Sequence, residues 1–152
     1  KVKRKLGTEW DGEISLPSEW AKVSVALPGI VAIQGPTFHS QEKAEKEIQQ
    51  LADHLSQEDL QEFPLILVVD DAGFIGRHLN NFLWATFTRS NPSHDMYGVN
   101  SFVKHKHWGC KGPLIIDARI KPHHAPPLVE DPAVTKRVDQ LAAKGGVLHG
   151  II

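Results

Sequence analysis

Between residues 40 and 55 the chain reads SQEKAEKEIQQLADHL, with Ala44, Ile48, Leu51, Ala52 and Leu55 at i, i+4, i+7, i+8 and i+11. That spacing lays one apolar stripe along a helix whose other faces are charged. Ser40 suits the N-cap, because its hydroxyl can accept one of the orphan N–H groups of the first turn. Upstream, AKVSVALPGIVAIQGP (21–36) is rich in Val, Ile and Ala and breaks at Pro28-Gly29, which predicts two short strands, or a strand and a turn. PLILVV (64–69) is apolar without interruption and stops at Asp70-Asp71, as a strand covered on both faces does. The helical stripe returns in FIGRHLNNFLWATFTR with Ile75, Leu79, Phe82, Leu83 and Thr86. It ends on Arg89, a cation suited to a helix C-terminus, and Ser90-Asn91-Pro92 stops it.

Further along, MYGVNSFVKHKHW (96–108) alternates as a strand would, and PLIIDAR (113–119) reads as a second, short buried strand. EDPAVTKRVDQLAAKGG (130–146) predicts a last helix with Asp131 as cap and Pro132 at its first position. Val134, Val138, Leu141 and Ala142 form its stripe, and Gly145 or Gly146 ends it. Residues 1–20 show no period, and they carry Trp10, Pro17 and Trp20 in what reads as an arm that packs through its tryptophans. Alternating strands and helices predict an α/β domain over 21–152, layered, with a mixed or mostly parallel sheet flanked by helices.

Composition narrows the class. The chain has 152 residues, 41% hydrophobic and 23% charged, which describes one globular domain able to bury about 68–70% of its unfolded surface. The formal net charge of −1 offers no field to recruit nucleic acid, and the basic opening KVKRK reads as a solvated terminus. A single cysteine allows no internal disulfide and points to a reducing, cytoplasmic setting. No run approaches the 18 or so apolar residues needed to span a bilayer. The chain begins at Lys1 rather than Met, which suggests processing or a piece of a longer protein.

Candidate chemistry gathers in HKHWGCKGPLIIDARIKPHH (105–124). On a strand, His105 and His107 share a face. With Cys110, His123 or His124 they could complete a tetrahedral zinc site, although the spacing matches no common pattern. Lys111 and His107 stand close enough in sequence to lower the pKa of Cys110. Asp70-Asp71, at the end of a buried strand, could hold a divalent cation; helix capping by Asp71 is the simpler role. No Gly-x-Ser-x-Gly elbow or phosphate-binding Gly loop is present.

Three segments, in this order, resemble the C-terminal domain of the UbiD family of decarboxylases. They are LILVVDDAGFIGRHLNNFLWATFTRSNPSHD, GCKGPLIIDARIK and PPLVEDPAVTKRVDQLAAKGG, and the match covers roughly residues 21 to 148. The resemblance implies a carboxy-lyase for aromatic or unsaturated acids, of the 3-polyprenyl-4-hydroxybenzoate type found in quinone biosynthesis. It implies prenylated FMN, Mn²⁺ and a monovalent cation as cofactors, with a Glu-Arg-Glu set for proton transfer. All of these belong to an N-terminal flavin-binding region that these residues do not include. The flavin adduct would supply the electron sink that decarboxylation needs. This chain would bind no cofactor itself and would carry no catalytic residue. It would be inactive alone, and would close the cleft over an aromatic acid substrate or mediate homo-oligomer contacts, partnering its own flavin-binding region. The resemblance makes Lys111, Cys110, Gly112 and Asp117 the substrate-cleft candidates, and it matches Arg89 and Asp95 to family positions. A free-standing metal-binding α/β domain using His105 and His107 stands as the alternative. A lipophilic substrate would bring the protein to the membrane periphery without anchoring it.

Overall fold

A computed structural model describes residues 3–10, 15–125 and 131–151. Strands β1 (Ala21–Leu27) and β2 (Ile30–Gln34) form an antiparallel pair whose turn is made by Gly29 at φ 80°. Helix α1 (Gln41–Leu55) then leads to β3 (Leu65–Val69), which lies parallel to β2. Helices α2 (Ala72–Arg77) and α3 (Leu79–Arg89) follow, then β4 (Met96–Gly98). A separate hairpin of β5 (Ser101–Lys104) and β6 (His107–Cys110) precedes β7 (Leu114–Asp117), and α4 (Pro132–Ala142) comes last. The main sheet runs β1-β2-β3-β7-β4, with β2, β3 and β7 parallel and both edges antiparallel. It is the layered, mixed α/β sheet that the alternation of elements predicts.

Residue alternation along the central strands divides the core into two layers. Val31, Ile33, Ile66, Val68 and Ile115 face α1, where they meet Ile48, Leu51 and Leu55. Ala32, Leu67 and Val69 face the other way, onto Ile75, Phe82 and Ala85 of α2 and α3. Both faces of these strands are covered, which is why PLILVV contains no polar position. The predicted stripe of α1 is buried in full, and Ser40 accepts the Lys43 N–H at 3.2 Å. Trp20 is buried in the α1 layer and Trp10 lies against Phe63, 5.3 Å between ring centroids.

Three local expectations change. The helix expected to run through to Arg89 breaks at His78, which is extended (φ −147°, ψ 144°). The break lets α2 lie flat on β1, where any side chain at Gly76 would collide with Ser24, while α3 turns to bury Phe82 and Ala85. Asn81 Nδ2 donates to Phe74 O at 2.8 Å and ties the two helices together. The alternating run 96–108 is not one strand. It leaves the sheet after Gly98, passes Asn100 at φ 52°, and folds back on itself at His105 and Lys106, both left-handed at φ 52° and 65°. Two adjacent positive φ angles make the two-residue hairpin turn whose twist suits the flanking strands. Finally, α4 is capped by Asp131 as expected, but no residue of it is buried, so its apolar stripe is not part of the core.

Candidate functional site

The carboxyl ends of β2, β3 and β7 share one edge of the sheet, the edge at which α/β sheets bind ligands. Charged groups of this chain collect there, inside the protein. Arg119 has a fully buried side chain and binds Asp117 in a fork, Nε to Oδ1 at 2.9 Å and Nη2 to Oδ2 at 2.8 Å. Its Nη1 donates to Glu47 Oε2 at 2.7 Å and to Pro36 O at 2.8 Å. Such fork geometry is the strong form of a charge-assisted bond. Burial by itself would lower the pKa of Arg119, but hydrogen bonds and attraction from Asp117 and Glu47 outweigh it and raise the pKa. Two residues on, Lys121 donates to Asp117 O at 2.9 Å and to Arg89 O at 3.2 Å, and its Nζ stands 3.3 Å from Asp95 Oδ1. Asp95 Oδ2 accepts the Asn91 N–H at 2.7 Å, closing the turn after α3. The Phe38 ring faces both cations, 5.8 Å from the Arg119 guanidinium carbon and 5.6 Å from Lys121 Nζ.

Two clefts flank this lattice. One of about 490 Å³ lies between Phe38, Gln41, His94, Lys121 and His123. The other, about 370 Å³, has Phe74, Trp84 and Ile120 as walls and the Asp70–Arg89 pair, 3.4 Å apart, in its lining. Arg89 stacks on Trp84 at 4.6 Å, and Asp70 also accepts the Ile120 N–H at 2.8 Å. Asp71 caps α2 through the Phe74 N–H at 3.0 Å, so the acidic pair performs two structural tasks rather than sharing a cation.

Beside the first cleft, Gln41 Nε2 donates to the Tyr97 hydroxyl at 3.3 Å. Burial, followed by the Glu45, Asp117 and Asp95 carboxylates, pushes Tyr97 up to about 12 from its ordinary 10.0. A folded-state pKa above the unfolded value means that its contribution to stability is complete below pH 10 and lost as pH rises through about 12. Tyr97 is the only tyrosine, so ultraviolet titration of phenolate reads it directly. Stability of the parent should fall more steeply than that of Tyr97→Phe across that window; parallel curves would contradict the assignment.

The four cleft candidates do not come together. Asp117 lies at the carboxyl edge, fully buried and committed to Arg119. Cys110, Lys111 and Gly112 lie before β7 at the opposite, amino edge, about 10 Å away along the strand. There Lys111 and Gly112 line a smaller cavity of about 200 Å³ with Arg4, Asn100 and the loop after α1. Gly112 is required by packing, since a Cβ would sit 2.8 Å from Val99 Cβ. The pKa of Cys110 moves opposite to expectation: burial pushes the thiol up, and its Sγ lies 3.4 Å from Gly112 O.

The histidines separate as well. His105 occupies the hairpin turn rather than a strand, so it does not share a strand face with His107. His123 and His124 belong to the loop beyond β7, where His124 Nδ1 accepts the Lys121 N–H at 3.1 Å and the two rings meet edge to face. Burial, then His123 and Lys121, hold His124 below the usual histidine range. Among the described residues no three His, Cys, Asp or Glu side chains converge on a metal position. Among the described residues, Glu47, Asp95 and Asp117 are each held by a buried cation and are not arranged to ligate a metal.

Motif and periodicity do not single out Arg119, Lys121 or Glu47. A signal for them exists all the same: Asp117, Arg119 and Lys121 alternate directly after a buried strand, and Glu47 sits within the apolar stripe of α1.

No family model matches the chain. Over 82 residues, 54% of its length, it is 30% identical to a protein of Chlamydia pneumoniae named as a subunit of 4-hydroxybenzoate decarboxylase. It is 32% identical over 84 residues to an uncharacterized protein of Chlamydia muridarum. The chain spans about 14% of the length of each of these relatives. Solved structures with a distant likeness include an evolved dimeric form of the UbiD-class enzyme HmfF from Pelotomaculum thermopropionicum in complex with prFMN. That likeness has a TM-score of 0.44 and 21% identity, over 70% of this chain and 21% of that one. The vanillic acid decarboxylase of Sedimentibacter hydroxybenzoicus in open form gives 0.43 and 16%, over 75% and 26%. The fold itself is a layered α/β domain whose carboxyl edge is closed by buried ion pairs. The relative named as a decarboxylase subunit, similar over about half of the chain, is consistent with the resemblance read along residues 21–148. Among the described residues no helix is long and apolar enough to cross a membrane.

Proposed function

We propose that this chain is the C-terminal domain, over 21–152 after an arm of 20 residues, of a prenylated-FMN- and Mn²⁺-dependent UbiD-like decarboxylase. Its substrate class is an aromatic or polyprenylated hydroxybenzoate-type acid, its setting quinone biosynthesis in the cytoplasm. The observation that carries the reading is the 30% identity to the Chlamydia pneumoniae decarboxylase protein over half of the chain. The domain closes the substrate cleft and mediates assembly, while a flavin-binding region outside these residues performs the chemistry. The commitment of Glu47, Asp95 and Asp117 to cations supports that division of labour, because no proton-transfer carboxylate is left free among them. A covering domain contributes by excluding water and shaping the pocket. The amino-edge cavity with Lys111 is the surface we assign to the cleft: Lys111 is exposed, whereas Asp117 cannot reach a substrate.

The purified chain should carry no visible flavin absorbance and release no CO₂ from 4-hydroxybenzoate. The enzyme containing both regions should do both. Stoichiometric flavin on the chain alone overturns the division of labour. In the two-region enzyme, Lys111→Ala should lower turnover roughly tenfold, the equivalent of about 1.4 kcal/mol of transition-state stabilisation, with an unchanged melting transition. Unaltered kinetics would remove the loop from the cleft.

A further inference from the structure

We propose that the cleft between α2, α3 and the chain beyond β7 binds a planar aromatic ring carrying a neutral amide, a C=O beside an N–H. The site goes beyond the role proposed above and does not rest on it, since neither flavin nor decarboxylation enters it. The cleft opens at the carboxyl edge of the sheet and holds about 370 Å³, within the range of sites for small organic molecules.

Its apolar part is aromatic. Phe74 of α2 and Trp84 of α3 meet edge to face, 6.3 Å between centroids at 79°, and Ile120 adds to the apolar lining. Trp84 and Ile120 remain 46% and 41% exposed although they line a concave surface. A flat ring covers such walls without losing internal freedom, and it gains stacked or edge-to-face contacts.

The polar part is an ion pair with spare bonding capacity. Arg89 Nη1 and Asp70 Oδ2 stand 3.4 Å apart, a long single contact rather than a fork. Asp70 Oδ2 also accepts the Ile120 N–H at 2.8 Å, whereas Oδ1 accepts nothing among the described residues. Nε and Nη2 of Arg89 likewise donate to nothing among the described residues. These three atoms are open to solvent, so a ligand can reach them. Asp71, the remaining charged group of the lining, has its Oδ1 on the Phe74 N–H.

Charge decides the class of ligand. A carboxylate bound to Arg89 would sit beside Asp70, and a cation bound to Asp70 would sit beside Arg89. Each suffers like-charge repulsion. A neutral amide avoids both: its carbonyl accepts from Arg89 and its N–H donates to Asp70, two charge-assisted bonds to groups now only loosely paired. The site thus refuses aromatic acids and selects their amides.

Benzamide, benzoate and benzamidine share one ring and differ in the charge of the head group. Each is titrated into the full chain and followed by NMR at the Trp84 indole N–H, assigned with Trp84→Phe. We expect saturable movement with benzamide, and binding about tenfold weaker for benzoate and for benzamidine. Asp70→Asn, which keeps an acceptor for the Ile120 N–H, should make benzoate the tightest of the three. Arg89→Gln should make benzamidine the tightest. Circular dichroism establishes that each variant is folded, and where one is not, the other variant and the series on the parent chain decide. Equal affinities on the parent chain overturn the proposal, as does benzoate or benzamidine binding tightest there. An unmoved Trp84 signal overturns it too, and so does an order of preference that a folded variant leaves unchanged.

Discussion

Arg119→Ala should destabilise the chain by about 3–5 kcal/mol, read as the loss of midpoint in urea denaturation. The size follows from what is left behind. Asp117 and Glu47, with side chains 1% and 8% exposed, would lose their common cation, leaving Asp117 with only the backbone N–H of residue 119 and Glu47 with only the half-exposed Lys43 at 3.6 Å. Pro36 O would lose its donor as well. Against a total stability of about 5–15 kcal/mol for a domain, that loss leaves a large unfolded fraction. The comparison that isolates the cause is Arg119→Met combined with Glu47→Leu and Asp117→Leu. Replacing a whole buried ionic group by apolar residues is far less costly than breaking it, so the triple variant should be more stable than Arg119→Ala. If the single change costs under 1 kcal/mol, the network contributes little to the fold.

Lys121→Ala should rank second, again at roughly 3–5 kcal/mol, because it strands Asp95 (2% exposed) and removes the donor to Arg89 O and Asp117 O. It acts elsewhere in the chain from Arg119: it loosens the join between α3 and the loop beyond β7. The two changes share Asp117, one through its side chain and the other through its carbonyl, so the double variant should differ from the sum of the singles. Strict additivity would mean that the two cations stabilise separate units. Hydrogen exchange distinguishes the regions, with Lys121→Ala opening 90–95 and 118–124 before the central strands.

Most elements can be read from the chain because each follows from local physics. The α1 stripe, the Ser40, Asp71 and Asp131 caps and the uninterrupted PLILVV strand depend on residues within one or two turns of each other. The site is less legible for the opposite reason. Glu47 and Arg119 stand 72 positions apart, and nothing local at either position announces the other. Lys111 and Asp117 show the reverse error: nearness in sequence groups them, yet a strand of four residues carries them to opposite edges of the sheet. A period of two pairs His105 with His107, and the hairpin turn cancels it.

The sequence by itself therefore determined the class of fold, the two-sided burial of the central strands and the helix starts, since periodicity and capping are short-range effects. Tertiary structure decided where the chain breaks at His78, which polar residues enter the interior, and that the stripe of α4 finds no place in the core. Those outcomes depend on which surfaces meet in space. An apolar stripe states only that a helix needs a partner; packing decides whether its own chain provides one.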